Sequence, residues 1–207
     1  MTTTMPARLI PTAHQTVGPF FPTHFAGEGD HDLTFVDDSQ HRAQGERIYI
    51  AGRVFEANRV PRRNALVEIW QADAGGRFDH PNDPEAAKAD PHFMGWGRRC
   101  TEDDGYYDFI TVKPGAYRDP VTGLVRAPHI NLSLMGSGLM RRVVTTLFFP
   151  DEAGNATDPV LTAIPDARMR ERLILRRAKL ERAPADTTPY ALDIVLQGED
   201  ETPFFAD

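Results

Sequence analysis

Asp103-Asp104-Gly105-Tyr106-Tyr107-Asp108-Phe109-Ile110-Thr111-Val112-Lys113-Pro114-Gly115 reads as turn, strand, turn. Asp-Asp-Gly supplies residues that hydrogen-bond their own backbone and a glycine that tolerates positive φ. The seven residues between the turns are rich in aromatic and β-branched side chains, which favour a pleated surface. Lys-Pro-Gly stops the strand, because proline cannot donate to a ladder. The same punctuation recurs on either side. Ile48 and Ile50 alternate with Tyr49 and lead into Val54 and Phe55; residues 65–70 form a second strand, 126–135 a fourth, 142–149 a fifth and 190–196 a sixth. Short strands split by Gly, Pro and Asp turns predict an all-β chain, an antiparallel sandwich or barrel. Asp166 is placed to cap one short helix, with Met169, Leu173 and Ile174 on one face. Residues 1–45 hold no period and read as an N-terminal arm; residues 46–207 form the sandwich domain. Phe20 and Phe21, adjacent in that arm, favour a docked segment over a solvated tail.

A chain of 207 residues can bury its own core as one domain. Its net charge of −7 disfavours nucleic-acid binding, which needs a basic surface to neutralise phosphates. The arginines between Arg168 and Arg177, with Lys179, are interleaved with acids and read as a solvated helix face. Cys100 is the single cysteine, so no disulfide forms within the chain; it reads as a buried apolar residue. No run approaches the roughly 20 apolar residues of a membrane span, and Met1 to Arg8 lacks the apolar core of a signal peptide. A cytoplasmic protein is expected. Trp70 reads as core, and His14, His24, His31 and His41 as solvated.

The fourth strand carries the chemistry. In Arg126-Ala-Pro-His129-Ile130-Asn131-Leu132-Ser133-Leu134, Ile130, Leu132 and Leu134 share the core face while His129, Asn131 and Ser133 share the other. Donors at i and i+2 of a strand project the same way, as a metal site needs. A polar face satisfied by hydrogen bonds has the same pattern.

With the segments Ile50-Ala-Gly52-Arg-Val54, Leu66-Val-Glu68-Ile-Trp70-Gln71-Ala72-Asp73-Ala-Gly-Gly76-Arg-Phe78, Asp104 to Tyr117, Arg126 to Asn131 and Leu196 to Phe205, the chain resembles the intradiol ring-cleavage dioxygenases from about Gly18 to Phe205. The resemblance implies a β-sandwich and a non-haem Fe(III) site of two tyrosinates and two histidines. Hard phenolate and imidazole donors suit ferric iron. Matched position by position, the first tyrosine is Phe78, which has no donor atom. The second is Tyr117. The first histidine is His129 and the second is Asn131, a neutral amide. The arginine that helps steer the substrate ring is Arg126. Two of four ligands are thus replaced, and neither a catalytic residue nor a metal ligand is expected in this chain; Tyr117, His129 and Arg126 are remnant positions. His80 could rebuild a three-donor set, but His80-Pro-Asn-Asp83 reads as a turn.

This loss is similar to that in the α chains of two-chain family members, whose homologous β chain holds the iron. The resemblance implies such a β subunit as partner, a small aromatic substrate at a shared site, and a pocket lining toward the partner from Thr16, Gly18 and Pro19. Two other readings stay open: an autonomous dioxygenase with an altered site, and a structural interaction module.

Overall fold

In a computed structural model, described for residues 18, 26–27, 29–36 and 41–205, the chain folds into two sheets that share one core. Strand β1 (Arg47–Phe55) pairs antiparallel with β4 (Tyr106–Val112), Ile50 opposite Phe109. On its other edge β1 meets β10 (Thr188–Ala191) and then β11 (Ile194–Val195), both parallel to it, and β10 carries β9 (Arg176–Arg177). The second sheet is antiparallel throughout, in the order β3 (Trp96–Cys100), β2 (Leu66–Trp70), β7 (His129–Met135), β8 (Val143–Phe148). A two-stranded ribbon of β5 (Tyr117–Arg118) and β6 (Val125–Arg126) stands apart. Ile48, Ile50, Tyr107 and Phe109 from the first sheet interlock with Val67, Ile69, Ile130, Leu132 and Leu134 from the second. This is an all-β sandwich, one of the two architectures expected from the strand pattern and the one the resemblance implies.

The Tyr106–Val112 strand has the bounds read from the sequence, and Gly105, at φ +78°, makes the turn before it. Two other strands break. The segment from Arg126 is interrupted at Ala127-Pro128, so Arg126 pairs with Tyr117 in the ribbon while His129 onward enters the sheet. The run from Tyr190 is interrupted at Leu192-Asp193, where the Asp193 carboxylate accepts the Arg53 N–H at 3.0 Å in place of a strand carbonyl. Strand β3 lacks apolar alternation; its place on the sheet edge is set by pairing with β2, and Arg98 and Arg99 reach Asp30 and Asp108.

Asp166 does cap a helix, α2 (Ala167–Glu171), accepting the Arg168 N–H at 2.8 Å. The helix is shorter than its expected apolar face requires. Met169 is exposed, and Leu173 is buried only after the helix has ended. Arg176 and Arg177 lie on β9, not on a helix face. A preceding helix, α1 (Pro159–Ala163), is capped by Asp158. Cys100 is half-buried rather than buried. Among the described residues no helix is long and apolar enough to cross a membrane.

Part of the expected arm docks on its own domain. Leu33 is wholly buried in the core, its N–H donates to the Ile110 carbonyl at 2.8 Å, and Ile110 N–H donates to His31 at 2.8 Å. Gly97 makes this possible: a Cβ there would lie 2.6 Å from the Asp30 carbonyl oxygen and 2.6 Å from the Leu33 side chain. His31 is half-buried by the same docking, not solvated. His41 is exposed, as expected, and stacks on His92. His14, Thr16, Pro19, Phe20, Phe21 and His24 lie outside the described residues.

Candidate functional site

Two loops that leave the sheets at one end bring the matched positions together. After β2, Asp73 accepts the N–H groups of Gly75 at 2.8 Å and Arg77 at 2.9 Å, and with its other oxygen that of Asp90 at 2.9 Å. Its carbonyl accepts from Gly115, which ties this loop to the Lys113-Pro114-Gly115 turn after β4. The loops touch at glycines. Gly76 has φ +76°, and a Cβ on it would lie 2.2 Å from the Ala116 carbonyl oxygen; only glycine permits that approach. Phe78 and Tyr117 follow these two turns, and their rings meet edge to face at 5.1 Å.

Tyr117 continues to His129, with ring centroids 5.5 Å apart, and His129 packs on Phe148 at 5.6 Å. On the other side Phe78 lies nearly parallel to Trp70 at 6.1 Å, and His80 meets the edge of Trp70 at 6.2 Å. Trp70 is not core. It is 41% exposed, because Val67 and Ile69 take the inward positions of β2 and leave Glu68 and Trp70 outward. Trp70, Phe78, His80 and Tyr117 wall a cleft of about 760 Å³.

His129 is 3% exposed, and its Nδ1 shares a hydrogen at 2.6 Å with the Ala127 carbonyl, so Nδ1 carries the proton and donates it. Burial, with the Arg126 guanidinium nearby, pulls its pKa down to about 4. Burial likewise raises the pKa of the Tyr117 hydroxyl, with Arg126 opposing. The pair therefore rests as a neutral imidazole and a protonated phenol at neutral pH. Arg126 Nε donates to Asp158 at 3.0 Å, and Asp158 is fully buried. The same carboxylate accepts the Ala127 N–H at 2.9 Å and caps α1 through the Val160 N–H at 2.9 Å. Arg126 is held as a strut between the ribbon and α1, and among the described residues its Nη2 is buried without a partner.

Asn131 accepts from the Thr146 hydroxyl at 3.1 Å and lines a neighbouring cavity with Trp70 and Trp96. His80 sits in the expected turn, where its Nδ1 accepts the Asn82 N–H at 3.2 Å. The cleft thus unites Tyr117, Phe78 and His80, with His129 behind Tyr117 and Asn131 to one side. Gly18 is half-buried at φ +74°. These donors do not fit a ferric ion. The Phe78 ring, which has no donor atom, occupies the first tyrosine's place, and an amide bonded to Thr146 replaces an imidazole. Among the described residues no group of three or more His, Cys, Asp or Glu side chains could hold a metal. Asp158 was missed in the sequence, although Asp158-Pro159 is a helix-start signal.

The family described as Dioxygenase matches residues 16–198. A protein named protocatechuate 3,4-dioxygenase beta chain, from Burkholderia cepacia, is 39% identical over 201 residues, covering 94% of this chain and 84% of the relative. A protein named protocatechuate 3,4-dioxygenase alpha chain, from Pseudomonas putida, is 37% identical over 209 residues, covering 97% of this chain and 99% of the relative. Among solved structures, 3-chlorocatechol 1,2-dioxygenase from Rhodococcus opacus 1CP shares the fold at 20% identity and a TM-score of 0.61, covering 91% of this chain and 68% of that one. With a sandwich whose site loops end at Phe78 and Tyr117, and with near-full-length relatives of this kind, the chain belongs to the intradiol ring-cleavage dioxygenases.

Proposed function

We infer that this chain is the iron-free α subunit of a protocatechuate 3,4-dioxygenase and completes the active site of a homologous β subunit that holds Fe(III). The complex would cleave protocatechuate between its hydroxyl-bearing carbons with O2, giving 3-carboxy-cis,cis-muconate, in the cytoplasm. Similarity to the named alpha and beta chains is nearly equal, so the donor positions carry the argument. The observation that supports the reading best is the edge-to-face contact of Phe78 with Tyr117, in which a ring without a donor fills a ligand's place.

Residues 29–34 belong with the sandwich, so the part of the arm proposed to reach the partner precedes them. Thr16, Gly18 and Pro19 would line the mouth of the β pocket, with Phe20 and Phe21 as anchors. Such an arm would act by shaping entry and excluding water, not by handling the reacting atoms.

The test is iron content and visible absorbance of the chain purified alone and then co-expressed with its β partner. A colourless, iron-free chain and a coloured, active complex are expected. A coloured chain that turns over a catechol alone would overturn the reading in favour of an autonomous dioxygenase with His80 recruited. Failure to form any complex would favour a structural module.

A further inference from the structure

We propose that a second cleft, lined by Arg59, Arg168, Arg172 and Arg176, binds a small carbon compound carrying two or three carboxylates. This cleft measures about 510 Å³, within the range of small-molecule sites, and shares no residue with the one walled by Trp70 and Phe78. In a chain of net charge −7, four guanidiniums gathered on one cleft reverse the sign locally. Three places in the fold supply them. Arg168 lies on α2 and Arg172 is the cap residue at its C-terminus; four residues apart, they share a face. Arg176 follows on β9. Arg59 stands in the turn after β1 at φ +55°, a left-handed backbone that residues with a Cβ rarely adopt, and its guanidinium lies 4.4 Å over the Phe55 ring.

Three acids, Glu171, Asp193 and Asp200, also line this cleft. Asp193 is engaged through both oxygens: one accepts the Arg53 N–H and the other the Arg59 guanidinium, each at 3.0 Å. Asp200 lies 3.7 Å from Arg172, beyond hydrogen-bond reach, and its side chain is 74% exposed, so water screens that pair. Arg172 donates instead to the Glu201 carbonyl at 3.0 Å. Among the described residues neither the Arg168 nor the Arg176 guanidinium has an ion-pair partner. Glu171, exposed at the end of α2, opposes an incoming anion. A single carboxylate therefore meets one open arginine and that repulsion together. A polycarboxylate pairs with arginines of α2 and β9 at once, each through the fork of donors a guanidinium offers. The rest of the lining selects a carbon skeleton over an inorganic anion. Leu192 and Val195 are buried and Ile174 is half-buried, giving apolar surface on which methylene groups leave water.

The probe is tricarballylate, a saturated tricarboxylate, titrated into the full chain by isothermal calorimetry at low salt, with acetate at matched ionic strength and pyrophosphate as comparisons. Saturable binding of one tricarballylate per chain is expected, with no saturable heat from acetate and weaker binding of pyrophosphate. Arg168→Gln and Arg176→Gln should each weaken tricarballylate about tenfold, the worth of a hydrogen bond between charged groups. Arg63→Gln, at an exposed position outside the cleft, should leave the affinity unchanged. Circular dichroism checks that all three variants are folded. Absence of saturable binding, or acetate binding as tightly as tricarballylate, would overturn the proposal. So would equal losses in all three folded variants, since attraction to general surface charge would then account for the binding. Pyrophosphate binding more tightly than tricarballylate would overturn the carboxylate class.

Discussion

His129 shows what a single buried side chain contributes. Its imidazole is enclosed by Tyr117, Phe148 and the Ala127 carbonyl, and its pKa falls to about 4. In the unfolded chain a histidine titrates near ~6.5. Between those values the unfolded state binds the proton and the folded state does not, so stability is full above the unfolded value and declines as pH falls toward the folded one. The loss at the bottom of that window is on the order of 3 kcal/mol. His129→Asn, which keeps a donor toward Ala127 but does not titrate, should flatten the dependence of the urea midpoint on pH across this window. An unchanged slope would assign the acid sensitivity to other groups. Asp158 is the second residue of this kind. One fully buried carboxylate satisfies Arg126, the Ala127 N–H and the Val160 N–H. Asp158→Ala leaves a mostly buried guanidinium unpaired and α1 uncapped, and should cost about 3–5 kcal/mol in urea denaturation.

At the scale of elements, the edge of the first sheet is where sequence outside the expected domain becomes structure. Residues 29–34 run alongside β4, so that edge is covered instead of exposed, the usual defence against edge-to-edge pairing. The passage is tight at Gly97, where any side chain meets the Asp30 carbonyl. Gly97→Ala should push this segment away without unfolding the sandwich. Hydrogen exchange at the Leu33 and Ile110 amides is expected to quicken by more than tenfold while that of β7 amides stays unchanged. If β7 quickens equally, the segment is part of the same cooperative unit as the sheets.

At the scale of the whole molecule, both sheets meet in one core cluster to which β1, β2, β4, β7, β8, β10 and β11 contribute, with Leu33 included. A shared core predicts one transition. Urea unfolding followed by far-UV circular dichroism and by fluorescence of Trp70 and Trp96 should give coincident midpoints. Separate midpoints would mean that the cleft loops and outer sheet face melt before the core.

Much of this was determined by sequence alone. Turn signals around residues 106–112 and alternation within 126–135 marked a strand at each place and, in the latter, its inward face, because the period of two is a property of the extended backbone itself. The ligand replacements at Phe78 and Asn131 are also matters of residue identity, since a ring without a donor has none in any fold. What the tertiary structure decided is where those identities meet. The strand breaks at Ala127-Pro128 and Leu192-Asp193 depend on Asp158 and on Arg53, 31 and 140 residues away in sequence. Trp70 looked like core because its residue type is apolar; its partners across the sheet and the inward claims of Val67 and Ile69 turned it out to wall a cleft. The short polar strands β3 and β9 carry no apolar period, and only pairing with a neighbour makes them strands. Local backbone preference is written in adjacent residues, whereas burial, pairing and the pKa of His129 are set by groups that only folding brings near.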